Sequence, residues 1–293
     1  RLSNISHHNK KKVRFINIDI SKTKKLSKIF KGNSYVFHLA GLADIVPSIE
    51  NPDKYFEANV LGTLNVLKAC KKIKLKKLIY AASASCYGIP KKYPTNENSK
   101  IDLQYPYALT KFLGEEMVMH WAKVYDMPNI SLRFFNVYGL RSRTTGAYGA
   151  VFGVFLAQKL SNKPLTIVGN GKQTRDFIHV SDLVEAIYMT SIKKNLKGMI
   201  FNLGSGQETS VNHIARIIGG KRINVSKRPG EPDRSQADIT KIKRVLGWMP
   251  KTSIEAGVKE LLRNINNWSD APVWTPKLIT KATKTWFKFL KKN

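Results

Sequence analysis

Cysteine is scarce in this sequence of 293 residues: Cys70 and Cys86 are the two present. They are too few for a disulfide framework or a Cys-based zinc site, no metal ligands are assigned, and a reducing, cytoplasmic setting fits. Long apolar runs are also missing. The longest, around residues 147–157, stops at Gln158-Lys159, short of the roughly 18 residues that a membrane span requires. No apolar leader opens the chain, which begins on Arg1 and reads as cut from something longer. Acidic residues are the third shortage, 20 against 50 Lys+Arg, for a formal charge of +30.

A charge of that size attracts polyanions by its field alone. The cations are mostly Lys, however, 38 against 12 Arg, and they are scattered through every segment rather than gathered with aromatics. That pattern favours a solvated lysine surface and makes nucleic acid an unlikely partner. Hydrophobic residues at 42% and aromatics at 10% are enough to fill a core, so wholesale disorder is excluded. The length suits one large or two unequal domains.

Strand-length apolar runs alternate with helix-length amphipathic ones, the pattern of a doubly wound parallel sheet of the Rossmann-like α/β class. Strands are expected at residues 13–18, 35–39, 77–81 and 130–135, and helices at 22–30, 55–70 and 107–125. From about residue 151 the loops lengthen. Helices at 151–160, 181–192 and 211–218 there accompany strands at 165–168 and 199–203. A capping box of Thr252 and Glu255 opens a helix running to Trp268, and residues 276–290 read as a last helix. The expected division is 1–150, a cofactor-binding domain, and 151–293, a smaller α/β substrate lobe with part returning to the first.

The chemical signal is strongest at Tyr107-Ala-Leu-Thr-Lys111. Four residues apart on a helix, phenol and ammonium share a face. An ordinary tyrosine, with a pKa of about 10, is a poor base at neutral pH. A cation about 4 to 6 Å away favours the phenolate by roughly 3 to 4 kcal/mol, which would make Tyr107 a usable general base. Ser83, 24 residues upstream, sits where strand 77–81 ends, the position at which ligands bind in such sheets.

With these residues the chain resembles the extended short-chain dehydrogenase/reductase enzymes, and among them the NAD-dependent epimerase/dehydratase family with its UDP-glucose 4-epimerase-like members. Further segments carry the likeness across nearly the whole chain: His38-Leu39-Ala40-Gly41, Asp19-Ile20, Asn59 in Asn-Val-Leu-Gly-Thr, Arg133-Phe-Phe-Asn-Val-Tyr-Gly139, Arg175-Asp-Phe-Ile-His-Val-Ser-Asp182 and Arg228-Pro-Gly-Glu231. The resemblance implies Tyr107, Lys111, Ser83 and Ser85 as the catalytic set. It implies NAD contacts from Asp19, Ile20, Leu39, Ala40, Gly41, Asn59, Tyr107, Lys111, Phe134 and Val137. Nucleotide-sugar contacts would come from Ser83, Asn136, Thr166, Val168, Arg175, Arg228, Glu231 and Ser235. His38 reads as a packed core histidine and Asp182 as a helix cap.

The family's opening Gly-x-x-Gly-x-x-Gly turn, whose amides and helix N-terminus hold the cofactor pyrophosphate, does not occur in the sequence. The chain is therefore expected to lack the first βα unit and to bind NAD weakly by itself. The 4,6-dehydratases of the family place an Asp-Glu pair after the hydroxyl residue, and the decarboxylases usually a Glu; here stand Ala84 and Ser85. The implied reaction is epimerisation at C4 of a UDP-hexose or UDP-N-acetylhexosamine, with Ser235 as a size gate and polysaccharide synthesis as the setting. Another nucleotide-sugar reaction (decarboxylation, 4,6-dehydration or keto-sugar reduction) is the alternative, and a non-catalytic RNA-binding relative a second. The two helices at 55–70 and 107–125 resemble the family's four-helix dimer interface, which implies a homodimer.

Overall fold

In a computed structural model the protein is described over residues 2–9, 11–23, 25–142 and 150–290. Its centre is a parallel sheet of β1 (Tyr35–His38), β2 (Lys77–Ser83), β3 (Asn129–Phe134) and β4 (Met199–Leu203), side by side in that order. β2 and β3 are buried almost throughout, as parallel strands covered on both faces must be. Period-two alternation divides their side chains. Leu78, Tyr80 and Ala82 pack with Leu67 and Val118 on one face, whereas Ile79 packs with Ile130, Leu132, Leu183, Phe201 and Trp248 on the other.

Helices α1 (Ile45–Glu50), α2 (Gly62–Cys70), α3 (Pro106–Val124) and α4 (Val180–Ile192) flank this sheet. A separate core, with Phe155, Leu156, Ile167, Ile214, Val258 and Trp268 at its centre, fills the C-terminal part. β4 nevertheless lies in the main sheet, so the chain returns there after leaving it. Register aligns Ser83 with Phe134 and Phe134 with Leu203, bringing the C-terminal ends of three strands level. α3 lies close against β2: a Cβ on Gly114 would stand 2.3 Å from the Tyr80 hydroxyl oxygen, so a side chain there would push the helix away.

Beneath the strand ends runs a buried polar network. Glu115 of α3 accepts from Ser131 at 2.7 Å and from Arg133 Nε at 3.0 Å. Arg133 also donates to the Tyr87 hydroxyl at 2.8 Å, and Tyr87 donates to Asn202 at 2.7 Å. The network ties α3, β3, β4 and the turn after β2 into one unit.

Several sequence expectations are corrected. Residues 13–18 form no strand: Val13, Phe15 and Ile18 are exposed, because β propensity needs a neighbouring strand and the described residues supply none. The helix expected at 22–30 is confined to Leu26–Phe30. The one expected at 55–70 starts at Pro52 and passes through a π turn, Glu57–Leu61, before α2. Ser253, not Thr252, caps the helix Ile254–Arg263, accepting from the Ala256 N–H at 3.2 Å; Thr252 instead donates its N–H to Asp182. Asp182 is thus a tether, and the cap of α4 is His179. The tail makes two helices, Pro276–Ala282 and α5 (Lys284–Leu290). Among the described residues no helix is long and apolar enough to cross a membrane.

Candidate active site

β2 delivers Ser83 to the C-terminal end of the sheet, and a 3-10 turn, Ala84–Tyr87, takes the chain away from it. Gly88 follows at φ +57°, where a Cβ would lie 2.1 Å from the Asp102 carbonyl oxygen, so only glycine fits that turn. The Ser83 oxygen accepts from the Ser85 N–H at 3.2 Å and from the Ser85 hydroxyl at 2.9 Å. With its oxygen so engaged, Ser83 is left to donate its own hydrogen towards the cleft.

Tyr105 is held extended by Pro106, which starts α3 one residue before Tyr107. Tyr107 is half-buried, parallel to the Tyr105 ring at 6.3 Å and edge-on to Tyr55 at 6.5 Å. Burial pushes its pKa up; the Ser83 hydroxyl acts in the opposite sense. The expected lowering of the Tyr107 pKa by Lys111 is not what sets it. The Lys111 ammonium lies over the Tyr80 ring, 4.4 Å from its centre, and burial lowers the lysine to about 8. Four-residue spacing puts the two side chains on one face but leaves each free to choose its contact.

Lys111 fits the nicotinamide-ribose task. Lys111 is a buried residue, and its ammonium stands in front of the loop after β1, 3.8 Å from where a Cβ on Gly41 would lie. Leu39, Ala40 and Gly41 are exposed along that loop. Asn59 is buried and fully engaged: it accepts from the Leu42 N–H at 2.7 Å and donates to Leu42 O and Thr110, each at 3.0 Å. Asn59 thereby ties the loop to α3. His38 is a core histidine, 2.9 Å from Thr63 and lowered to about 3 by burial. Asp19 and Ile20 lie at the outer end of α2, Ile20 against Gly62 and held through its carbonyl by Asn65. Tyr107 and Lys111, which the resemblance gives to the nicotinamide half, share one helix, α3; none of the residues named is assigned to the pyrophosphate.

Two adjoining cavities of about 320 Å³ each share a wall here, the first of them lined by Tyr107. Ser83, Ser85, Tyr107, Phe134 and Ser235 line the first; Val137, Thr166, Val168 and Arg228 line the second. Val137 therefore faces the second cavity, although the resemblance placed it with the cofactor. Asn136, Arg175 and Glu231 belong to both, with Arg175 2.9 Å from Glu231 and Arg228 3.8 Å from the same oxygen. Thr166 is buried and bonded to Gln158 through its side chain at 2.8 Å, so it forms wall. Behind Arg175, Asp176 accepts from Gly206 and Ala237 N–H groups, each at 2.9 Å, and burial raises it to about 6. It anchors the loop that presents Ser235. Trp286 of α5 and Ile45 of α1 also line both cavities. Sequence reasoning missed both: Ile45 carries no chemistry, and nothing local marks a tail tryptophan as a site residue.

The profile of the family described as GDP-mannose 4,6 dehydratase matches residues 1–261. The chain belongs to this family. Within the epimerase/dehydratase group it is 36% identical over 278 residues to a putative UDP-glucose 4-epimerase of Methanocaldococcus jannaschii, covering 91% of this chain and 90% of that protein. The UDP-glucuronic acid 4-epimerase of Bacillus cereus, solved with UDP-glucuronic acid and NAD, superposes with a TM-score of 0.83 at 31% identity, over 90% of this chain and 85% of that one. The UDP-N-acetylglucosamine 4-epimerase of Methanobrevibacter ruminantium, solved with UDP-N-acetylmuramic acid, gives 0.83 at 27% identity, over 90% and 87%. Membership makes this an enzyme of the nucleotide-sugar short-chain dehydrogenase/reductase kind.

Proposed function

We propose that the protein is an NAD-dependent nucleotide-sugar 4-epimerase. One observation carries this over dehydration: among the described residues lining the cavity at Ser83 and Tyr107, the sole carboxylate is Glu231, engaged by Arg175. Without a further acid and base beside Tyr107, this cavity lacks the pair that eliminating water across C5 and C6 needs.

Tyr107 takes the proton of the sugar 4-hydroxyl, and Ser83, set by Ser85, hydrogen-bonds the reacting oxygen. Bound NAD would supply a reversible hydride acceptor for C4, which would leave the reaction redox-neutral overall. Lys111 would hold the nicotinamide ribose. Arg175 and Arg228 face the diphosphate, which keeps the nucleotide anchored while the 4-keto sugar turns to present its other face. NMR of UDP-glucose or UDP-N-acetylglucosamine incubated with protein and NAD should show the C4 epimer. A 4-keto-6-deoxy product, or release of carbon dioxide from UDP-glucuronate, would replace this reading by dehydration or decarboxylation. A reducing cytoplasm suits the two free, buried cysteines.

Ser235 lines the same cavity as Tyr107 and leaves room beside the sugar. Ser235→Tyr should cut turnover of UDP-N-acetylhexosamine by about 10- to 100-fold and of UDP-hexose by less than about threefold, since a clash is simpler to build than a contact. Equal losses on both substrates would remove Ser235 from the gate.

We also propose a symmetric homodimer through α3 and the helical stretch ending in α2. Exposed Phe56, Leu61 and Leu109 on these elements suit an apolar contact. Sedimentation at micromolar concentration should show twice the chain mass; monomer throughout would refute the arrangement.

A further inference from the structure

The wall shared by the two cavities includes a residue from outside the 1–261 stretch that the family profile matches. Trp286, in α5, is 5% exposed and lines both cavities, at the level of Arg175 and Glu231. Its indole N–H donates to the Pro229 carbonyl at 2.7 Å, so it is committed and cannot serve a ligand oxygen. The Arg228 guanidinium lies over its ring, 5.3 Å from the centre, within the range of a cation–π contact.

The rest of α5 holds this indole in place from two sides. Thr285 donates to Glu50 at 2.8 Å, joining α5 to α1, whose Ile45 is the facing wall of both cavities. On the other side Leu290 sits against Gly230, 3.6 Å from where a Cβ there would lie, and Gly230 is next to Glu231. α5 thus crosses from the substrate-side loop 228–231 to the sheet-side helix α1.

We infer that α5 is a strap across the cleft and that Trp286 is its positioning residue, fixing the Arg228 fork towards the diphosphate and excluding water around it. This rests on the nucleotide-sugar reading above. A guanidinium stacked on a ring keeps its plane and loses little freedom on pairing with a phosphate, and a dry surround strengthens that pairing. With Arg228 over the ring and the indole N–H taken by Pro229, the effect of Trp286 falls on the phosphates that Arg228 pairs.

Calorimetry with UDP, and ligand-observed NMR with uridine, separate these contributions. Trp286→Ala should weaken UDP roughly tenfold or more and leave uridine unchanged. Trp286→Phe, which keeps a ring face under Arg228, should stay within about threefold of the unsubstituted protein. Thr285→Val, which unties α5 from Glu50 with the indole intact, should weaken UDP about two- to fivefold. UDP affinity unaltered in Trp286→Ala, or uridine weakened as much as UDP, would overturn the positioning role. A phenylalanine variant as weak as the alanine one would do the same, and an unaffected Thr285→Val would overturn the strap. No UDP binding by the unsubstituted protein would sink the nucleotide-sugar reading itself, and the inference with it.

Discussion

Tyr107→Phe is expected to lower turnover by about 10²- to 10⁴-fold, the range for losing a positioned acid–base group, while melting temperature and UDP affinity barely move. The phenyl ring keeps its stacking on Tyr105 and its edge contact with Tyr55, so packing survives. Only the hydroxyl is lost. Because burial raises the Tyr107 pKa, the rate should climb with pH as phenolate forms. Lys111, lowered to about 8, is cationic below that pH and neutral above it, so ribose binding through its ammonium should fade above pH 8 and bend the profile down again. Turnover in Tyr107→Phe within a few-fold of the original would place the base elsewhere.

The second large effect is on stability. Glu115→Ala leaves Arg133, a residue 3% exposed, without its carboxylate. Removing one partner of a buried pair costs about 3 to 5 kcal/mol, because the other charge stays desolvated and uncompensated. For a chain of this size that is about 5 to 8 °C in Tm. Replacing both partners at once, Glu115→Leu with Arg133→Met, should recover much of the loss, since no charge remains buried. Urea or thermal unfolding measures both. A loss below about 1 kcal/mol in Glu115→Ala would mean that water or rearrangement rescues Arg133, and that the network is not the brace of the strand ends.

Features that depend on neighbours in sequence were the readable ones. The Tyr107/Lys111 spacing puts both residues on α3 facing β2, and the small residues after strand 77–81 mark where Ser83 emerges. Alternating apolar runs give β2, β3 and β4 nearly to the residue. Misreadings share the opposite cause. Whether residues 13–18 become a strand depends on an adjacent strand, not on their own valine, phenylalanine and isoleucines. The choice of Ser253 over Thr252 as cap is made by Asp182, 70 residues away, which takes the Thr252 N–H. Lys111 turns to Tyr80, a strand residue 31 positions upstream in sequence. Trp286 reaches the cleft only because α5 folds back on α1, which no local pattern announces.

The surplus of thirty positive charges keeps like molecules apart. Lysines scattered over every segment, unremarkable as a ligand site, thereby acquire a colloidal task, and it is one that salt erodes. The Debye length shrinks from about 10 Å at 0.1 M to about 3 Å at 1 M, so high ionic strength leaves the exposed Val184, Tyr188 and Ile192 of α4 with little to hold them off other copies.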